Sequence, residues 1–211
     1  MGAISQIFSI LNEVSTGYHF MEIGLILRES ILLSKMLLSA ESWHKLFLYQ
    51  IEKFEQIDKI FLRKLFNCHS KTSIEFLYSE SESIPLRFVT SVRRLLYWWH
   101  ILSVDKSEMI FKVYSAQKLS PVSGDWINML ESDKTQFKIK LSDKEVDSIS
   151  KQKFKKYVQH KAVELTSEFL EEMKKKNSKS KQLDVWDMKI SSYLVDSRFN
   201  KEERELLFKL K

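Results

Sequence analysis

Four glycines and two prolines are all the backbone punctuation this chain of 211 residues contains. A β-sandwich or a nucleotide-binding α/β fold needs many more, because tight turns and left-handed positions draw on these two residues. Helices joined by short polar turns need few. The expected fold class is therefore all-α, an irregular helical bundle followed by long basic helices and a polar linker. A hydrophobic content of 44% against 29% charged residues fits a chain that buries a core and excludes a disordered one.

Cys68 is the only cysteine, so neither an internal disulfide nor a thiolate metal site is available. No basic region precedes the first apolar stretch, so no secretory leader is read. An intracellular location, cytoplasm or nucleus, is expected. The most apolar segment, residues 20–40, is broken by Glu22, Arg28, Glu29 and Lys35, as suits a buried helix and not a membrane span.

Hydrophobic spacing sets out the helices. Ile4, Ile7, Phe8, Leu11 and Val14 recur at helical intervals, and residues 19–40 are apolar nearly all round. Phe47, Ile51, Phe54, Ile57, Phe61 and Leu65 form an amphipathic stripe, with Glu52, Glu55, Lys59 and Lys64 off it. Thr72 is the expected cap of a short helix to Ser79. Ile84-Pro85 breaks the chain before a helix over residues 86–102. Asp105 with Glu108, and Ser142 with Glu145, have capping-box spacing. Pro121 and Gly124 mark a loop that reads as a subdomain boundary. Phe154, Val158, Ala162, Leu165, Phe169 and Met173 make a narrow stripe on a long helix. Residues 174–182 read as a linker, and Asn200 with Glu203 as the start of a last helix. The chain starts within an apolar stretch and stops within a helical one, which leads us to expect a part of a larger protein.

The net charge of +6 is unevenly placed. Residues 1–40 hold two bases against three acids, whereas residues 134–181 hold fourteen lysines, no arginine and seven acids. A near-neutral apolar part is thus followed by a basic one suited to a polyanion. Lysine without arginine points to loose, salt-sensitive contact. Lys153, Lys155 and Lys156 are its candidate residues, although the same lysines also fit a merely solvated helix face.

No phosphate-binding loop, dinucleotide fingerprint, nucleophile elbow or zinc-protease motif occurs. The five histidines stand singly. The adjacent acids Glu171-Glu172 and Glu202-Glu203 diverge by about 100° on a helix and do not converge on a metal. Neither catalysis nor a cofactor is expected. The densest constellation is Arg87, Arg93, Arg94, Tyr97, Trp98, Trp99 and His100. Planar cations beside aromatics suit phosphates and stacked bases. The same spacing also suits a core of Leu95, Trp98, Trp99 and Leu102 with solvated arginines.

Several segments resemble the region that follows the polymerase domain in LINE-type (non-LTR) retrotransposon reverse transcriptases. They are residues 17–30 (GYHFMEIGLILRES), 51–59 and 62–66 (LRKLF), then Ile84-Pro85-Leu86-Arg87-Phe88 and residues 93–102 (RRLLYWWHIL). Residues 114–118 (YSAQK), Gly124-Asp125-Trp126, Phe154-Lys155-Lys156 and residues 201–208 (KEERELLF) follow in the same order. The resemblance implies a helical thumb over residues 1–118, gripping the nucleic-acid backbone with Arg87, Arg93 and Arg94. It implies a basic helical connector over residues 119–211. The family's paired-aspartate polymerase motif, endonuclease and Cys/His cluster have no counterpart here. The implied function is that of a remnant or partial chain that binds the RNA or DNA backbone non-specifically without catalysis. The partner implied is the missing polymerase domain, with no membrane and with self-association through apolar faces between Leu25 and Leu38. The alternative is a helical interaction or scaffold module with no nucleic-acid role.

Overall fold

The structure, a computed structural model, describes residues 2–14, 19–43 and 48–176. Of these 78% are helical and none is in a strand, so the fold is all-α. The helices are α1 (Gly2–Val14), α2 (Phe20–Leu27), α3 (Ser34–Met36), α4 (Leu48–Leu65), α5 (Ile74–Ser81) and α6 (Leu86–Ser103). They continue with α7 (Met109–Leu119), α8 (Trp126–Gln136), α9 (Asp143–Ser148) and α10 (Lys151–Lys176). A π-helical stretch, Arg28–Leu33, joins α2 to α3, and a 3₁₀ turn spans Ala40–Ser42. Among the described residues no helix is long and apolar enough to cross a membrane. Of the linker expected over residues 174–182, residues 174–176 instead continue α10, and the remainder, like the helix expected from Asn200, lies outside the described residues.

Two compact units are formed, one from Met1–Leu38, Glu52–Ser83 and Phe169–Lys211, the other from Ser39–Ile51 and Ile84–Glu168. The expected boundary at residue 118/119 falls inside the second unit. The physical reason is local, since Tyr114 and Lys118 on one side of that boundary bond to Asp143 on the other.

In the first unit, Ile4, Ile7, Phe8 and Leu11 of α1 join Phe20 and Met21 of α2 and Phe61, Leu62 and Leu65 of α4 in one core. Gly24 permits the approach of α2 to α4, because a Cβ there would lie 2.3 Å from Leu65 Cδ1. The expected uniform helix over residues 19–40 widens into the π stretch instead. There the Ser30 and Ser34 hydroxyls donate to the carbonyls of Ile26 and Ser30, a local bond that competes with regular helix. Arg28, first in that stretch, is sealed from water and forms two bonds to Asp58, Nε–Oδ1 at 2.6 Å and Nη2–Oδ2 at 2.7 Å. Burial opposes its charge, and the Asp58 carboxylate more than offsets this, holding Arg28 above its ordinary value. Asp58 also accepts from the Tyr78 hydroxyl at 3.3 Å. Glu55, expected off the α4 stripe, is buried as well, while Ile60 is exposed. The apolar face expected to be open between Leu25 and Leu38 is mostly closed. Leu32, Leu33 and Leu37 are buried, and Ile26 and Leu38 remain exposed.

In the second unit α6 is central and packs against the Ala40–Ser42 turn, α7, α8 and α9. The capping box of Ser142 and Glu145 forms in full and opens α9. Asp105 does not cap α7. Its carboxylate accepts from the Ser107 amide, and α7 starts after Glu108 without a side-chain cap. Likewise α5 is capped by Ser73 and not Thr72, through a bond from the Phe76 amide at 3.3 Å.

Candidate nucleic-acid interface

Helix α6 carries the arginines and aromatics that the sequence singles out, and its periodicity sorts them into two sets. Ser91, Arg94, Leu95 and Trp98 fall on its inner face with Leu86, Phe88 and Ile101. Arg94 is 2% exposed, with Nη1 2.5 Å from Asp133 Oδ2, and Ser91 donates to Asp133 Oδ1 at 2.8 Å. Burial pushes the Asp133 carboxyl up, against the downward pull of Arg94 and Ser91. Trp98 is 0% exposed and donates through Nε1 to the Tyr114 hydroxyl at 3.2 Å. That hydroxyl donates in turn to Asp143. Phe154 meets the Trp98 ring edge-on at 6.1 Å, and Lys134 Nζ lies 4.8 Å from its centroid.

Arg94 and Trp98, both expected at the interface, are therefore interior residues. The cause is tertiary. An arginine on a mixed helix looks solvated until a carboxylate 39 residues away meets it, and nothing near Arg94 in sequence announces Asp133.

The remaining α6 candidates lie nearer the surface. Arg87, Arg93 and Tyr97 are half-buried, and His100 is exposed. Trp99 is half-buried and donates to the Ile149 carbonyl at 2.8 Å. Tyr97 meets Trp126 edge-on at 5.9 Å. Burial first, then the nearby Glu41 carboxylate, raise the Tyr97 phenol, which keeps it a hydrogen-bond donor.

The lysines of α10 behave differently. Phe154 and Val158 point into the second unit's core, which turns Lys153 and Lys156 outward, with Lys155 on the flank. All three are exposed, as is Lys151. Among the described residues none of the four has an ion-pair partner. The first turn of α10 contains no acid, although the positive end of the helix dipole favours acids there and disfavours lysines. Further along, charge is neutralised. Lys161 and His160 pair with Glu164 at 2.7 and 3.1 Å, and Lys138 with Glu168 at 2.5 Å. The buried stripe runs through Phe154, Val158, Ala162, Thr166 and Leu170. It departs from the expected stripe at Thr166, whose hydroxyl is satisfied by the Ala162 carbonyl, while Leu165 and Phe169 are half-buried.

The first two turns of α10 are thus a strip of unneutralised ammonium groups on a rigid helix, able to contact an extended anion but without the planar forks that read a particular geometry. No group of three or more His, Cys, Asp or Glu placed to hold a metal ion occurs among the described residues. No family model, no curated protein and no solved structure matches the chain.

Proposed function

We propose that this chain is a non-catalytic helical protein that binds the RNA or DNA backbone without sequence preference. We further propose that it derives from the region following the polymerase domain of LINE-type reverse transcriptases. The observation that carries the binding reading is the strip formed by Lys151, Lys153, Lys155 and Lys156, exposed and unpaired among the described residues at the helix end where positive charge is least favoured. Retaining cations there costs helix stability, and an anionic ligand offsets that cost. Arg87 and Arg93, half-buried on α6, are secondary candidates. Arg94 and Trp98 are withdrawn from the interface, because both are buried, with Arg94 Nη1 bonded to Asp133 and Trp98 Nε1 to Tyr114. The retrotransposon origin rests on the order of the resembling segments in the sequence.

Binding of the full chain to an RNA–DNA hybrid, titrated with salt, tests this reading. Affinity is expected to fall steeply as salt rises, with a log–log slope that loses about 0.9 for each phosphate contact removed. Replacing Lys153, Lys155 and Lys156 with Gln is expected to lower that slope by about 2 to 3. Binding that ignores salt, or a triple variant with an unchanged slope, would overturn it. The runner-up reading, a protein-interaction module, is favoured by the exposed Met109, Val113, Leu119 and Val122 on and just after α7.

A further inference from the structure

Helices α6, α7 and α8 and the Ala40–Ser42 turn enclose a cleft of about 200 Å³ within the second unit. Three aromatic residues, Tyr97, Tyr114 and Trp126, and three aliphatic ones, Ile101, Ile110 and Val113, form most of its lining. The Trp126 ring is fixed. Its Nε1 donates to the Glu41 carbonyl at 2.8 Å, and Tyr97 and Tyr114 meet it edge-on at 5.9 and 6.3 Å. The volume lies below the roughly 300–1,000 Å³ of pockets for drug-sized ligands, so the occupant is a single ring system or side chain.

The polar groups decide between these. Ser42 spends its hydroxyl on the Ser39 carbonyl. The Gln117 carboxamide and the Tyr97 hydroxyl, by contrast, have no hydrogen-bond partner among the described residues, yet both residues line the cleft. An aliphatic or phenyl side chain entering here would strip water from both groups and give nothing back. A heteroaromatic ring with donors and acceptors on one edge satisfies them while its faces meet apolar walls. A carboxamide, with an acceptor and donors side by side, suits a nucleobase edge.

We infer that this cleft holds one unstacked nucleobase of a single-stranded nucleic acid, with Tyr97 and Trp126 as its apolar wall and Gln117 on the base edge. The inference rests on the backbone-binding reading above and adds a second contact on the same ligand. Its test compares a short oligothymidylate with an abasic strand of equal length and charge, each titrated into the full chain while tryptophan fluorescence is followed. The base-bearing strand is expected to bind about 5- to 100-fold more tightly and to quench fluorescence, as base–aromatic stacking does elsewhere. Tyr97→Ala is expected to remove that preference. Gln117→Leu, at a half-exposed position where folding is not at stake, is expected to weaken the base-bearing strand alone. The Lys153, Lys155 and Lys156 triple Gln variant is expected to weaken both strands and leave their ratio intact. Equal affinities for the two strands would overturn the base cleft, leaving backbone binding standing and the cleft as an anchor site for a protein partner. Failure of both strands to bind at low salt would overturn both readings.

Discussion

Arg94 and Asp133 illustrate how one residue changes meaning once its surroundings are known. Each is nearly sealed from water, and their bond replaces part of the hydration that both ions have lost, while Arg94 Nε is buried without a hydrogen-bond partner among the described residues. Removing one partner from such a pair leaves an uncompensated buried charge. Arg94→Ala is expected to lower stability by about 3–5 kcal/mol, whereas replacing the pair with apolar residues of similar volume costs far less. Chemical denaturation of the single and paired variants measures this. Salt-dependent binding of the still-folded Arg94 variant should keep the parent slope, since the guanidinium faces Asp133 and not a ligand. A slope reduced by about one would return Arg94 to the interface.

At the scale of the element, helix ends and helix faces were unequally readable. The box at Ser142 and Glu145 forms as its spacing implies because both bonds are local. Adjacent Thr72 and Ser73 offer the same chemistry, and only the path of the chain chooses Ser73. Ser73→Ala is therefore expected to cost about 1 kcal/mol and Thr72→Ala close to nothing, as read from denaturation midpoints. Equal losses would mean that the cap is shared. The α4 stripe was legible in its second half, where Phe61 and Leu65 are buried. Its middle instead buries Glu55 and Asp58. Hydrophobic periodicity passes over that choice, because a carboxylate enters a core only where a partner such as Arg28 awaits it.

For the molecule as a whole, each unit keeps a tyrosine protonated. Burial first, and then the Asp58 carboxylate, hold Tyr78 well above its ordinary value of 10.0. Burial and the Asp143 carboxylate raise Tyr114. An unfolded chain ionises its tyrosines near pH 10, before either folded unit does. Stability is therefore fully present below about pH 10 and falls as pH rises through the folded-state values. Denaturation midpoints taken from about pH 8 to 11 are expected to decline, and Tyr78→Phe and Tyr114→Phe are each expected to flatten the decline. An unchanged decline in both variants would place its origin elsewhere, among the lysines.

The sequence alone determined the helical fold, the approximate span of α6, the Ser142 capping box and the basic character of α10. Each depends on turn residues, periodicity or charge within a few positions of one another, where physical chemistry acts through neighbours along the chain. Tertiary structure decided which cations stay in water. It put Arg94 and Trp98 inside with Asp133 and Tyr114, left Lys153, Lys155 and Lys156 outside, and gathered Tyr97, Gln117 and Trp126 around one cleft. Those outcomes turn on pairs tens of residues apart. A buried charge or an open cleft is a property of the elements that meet there, and no single segment of the chain encodes it.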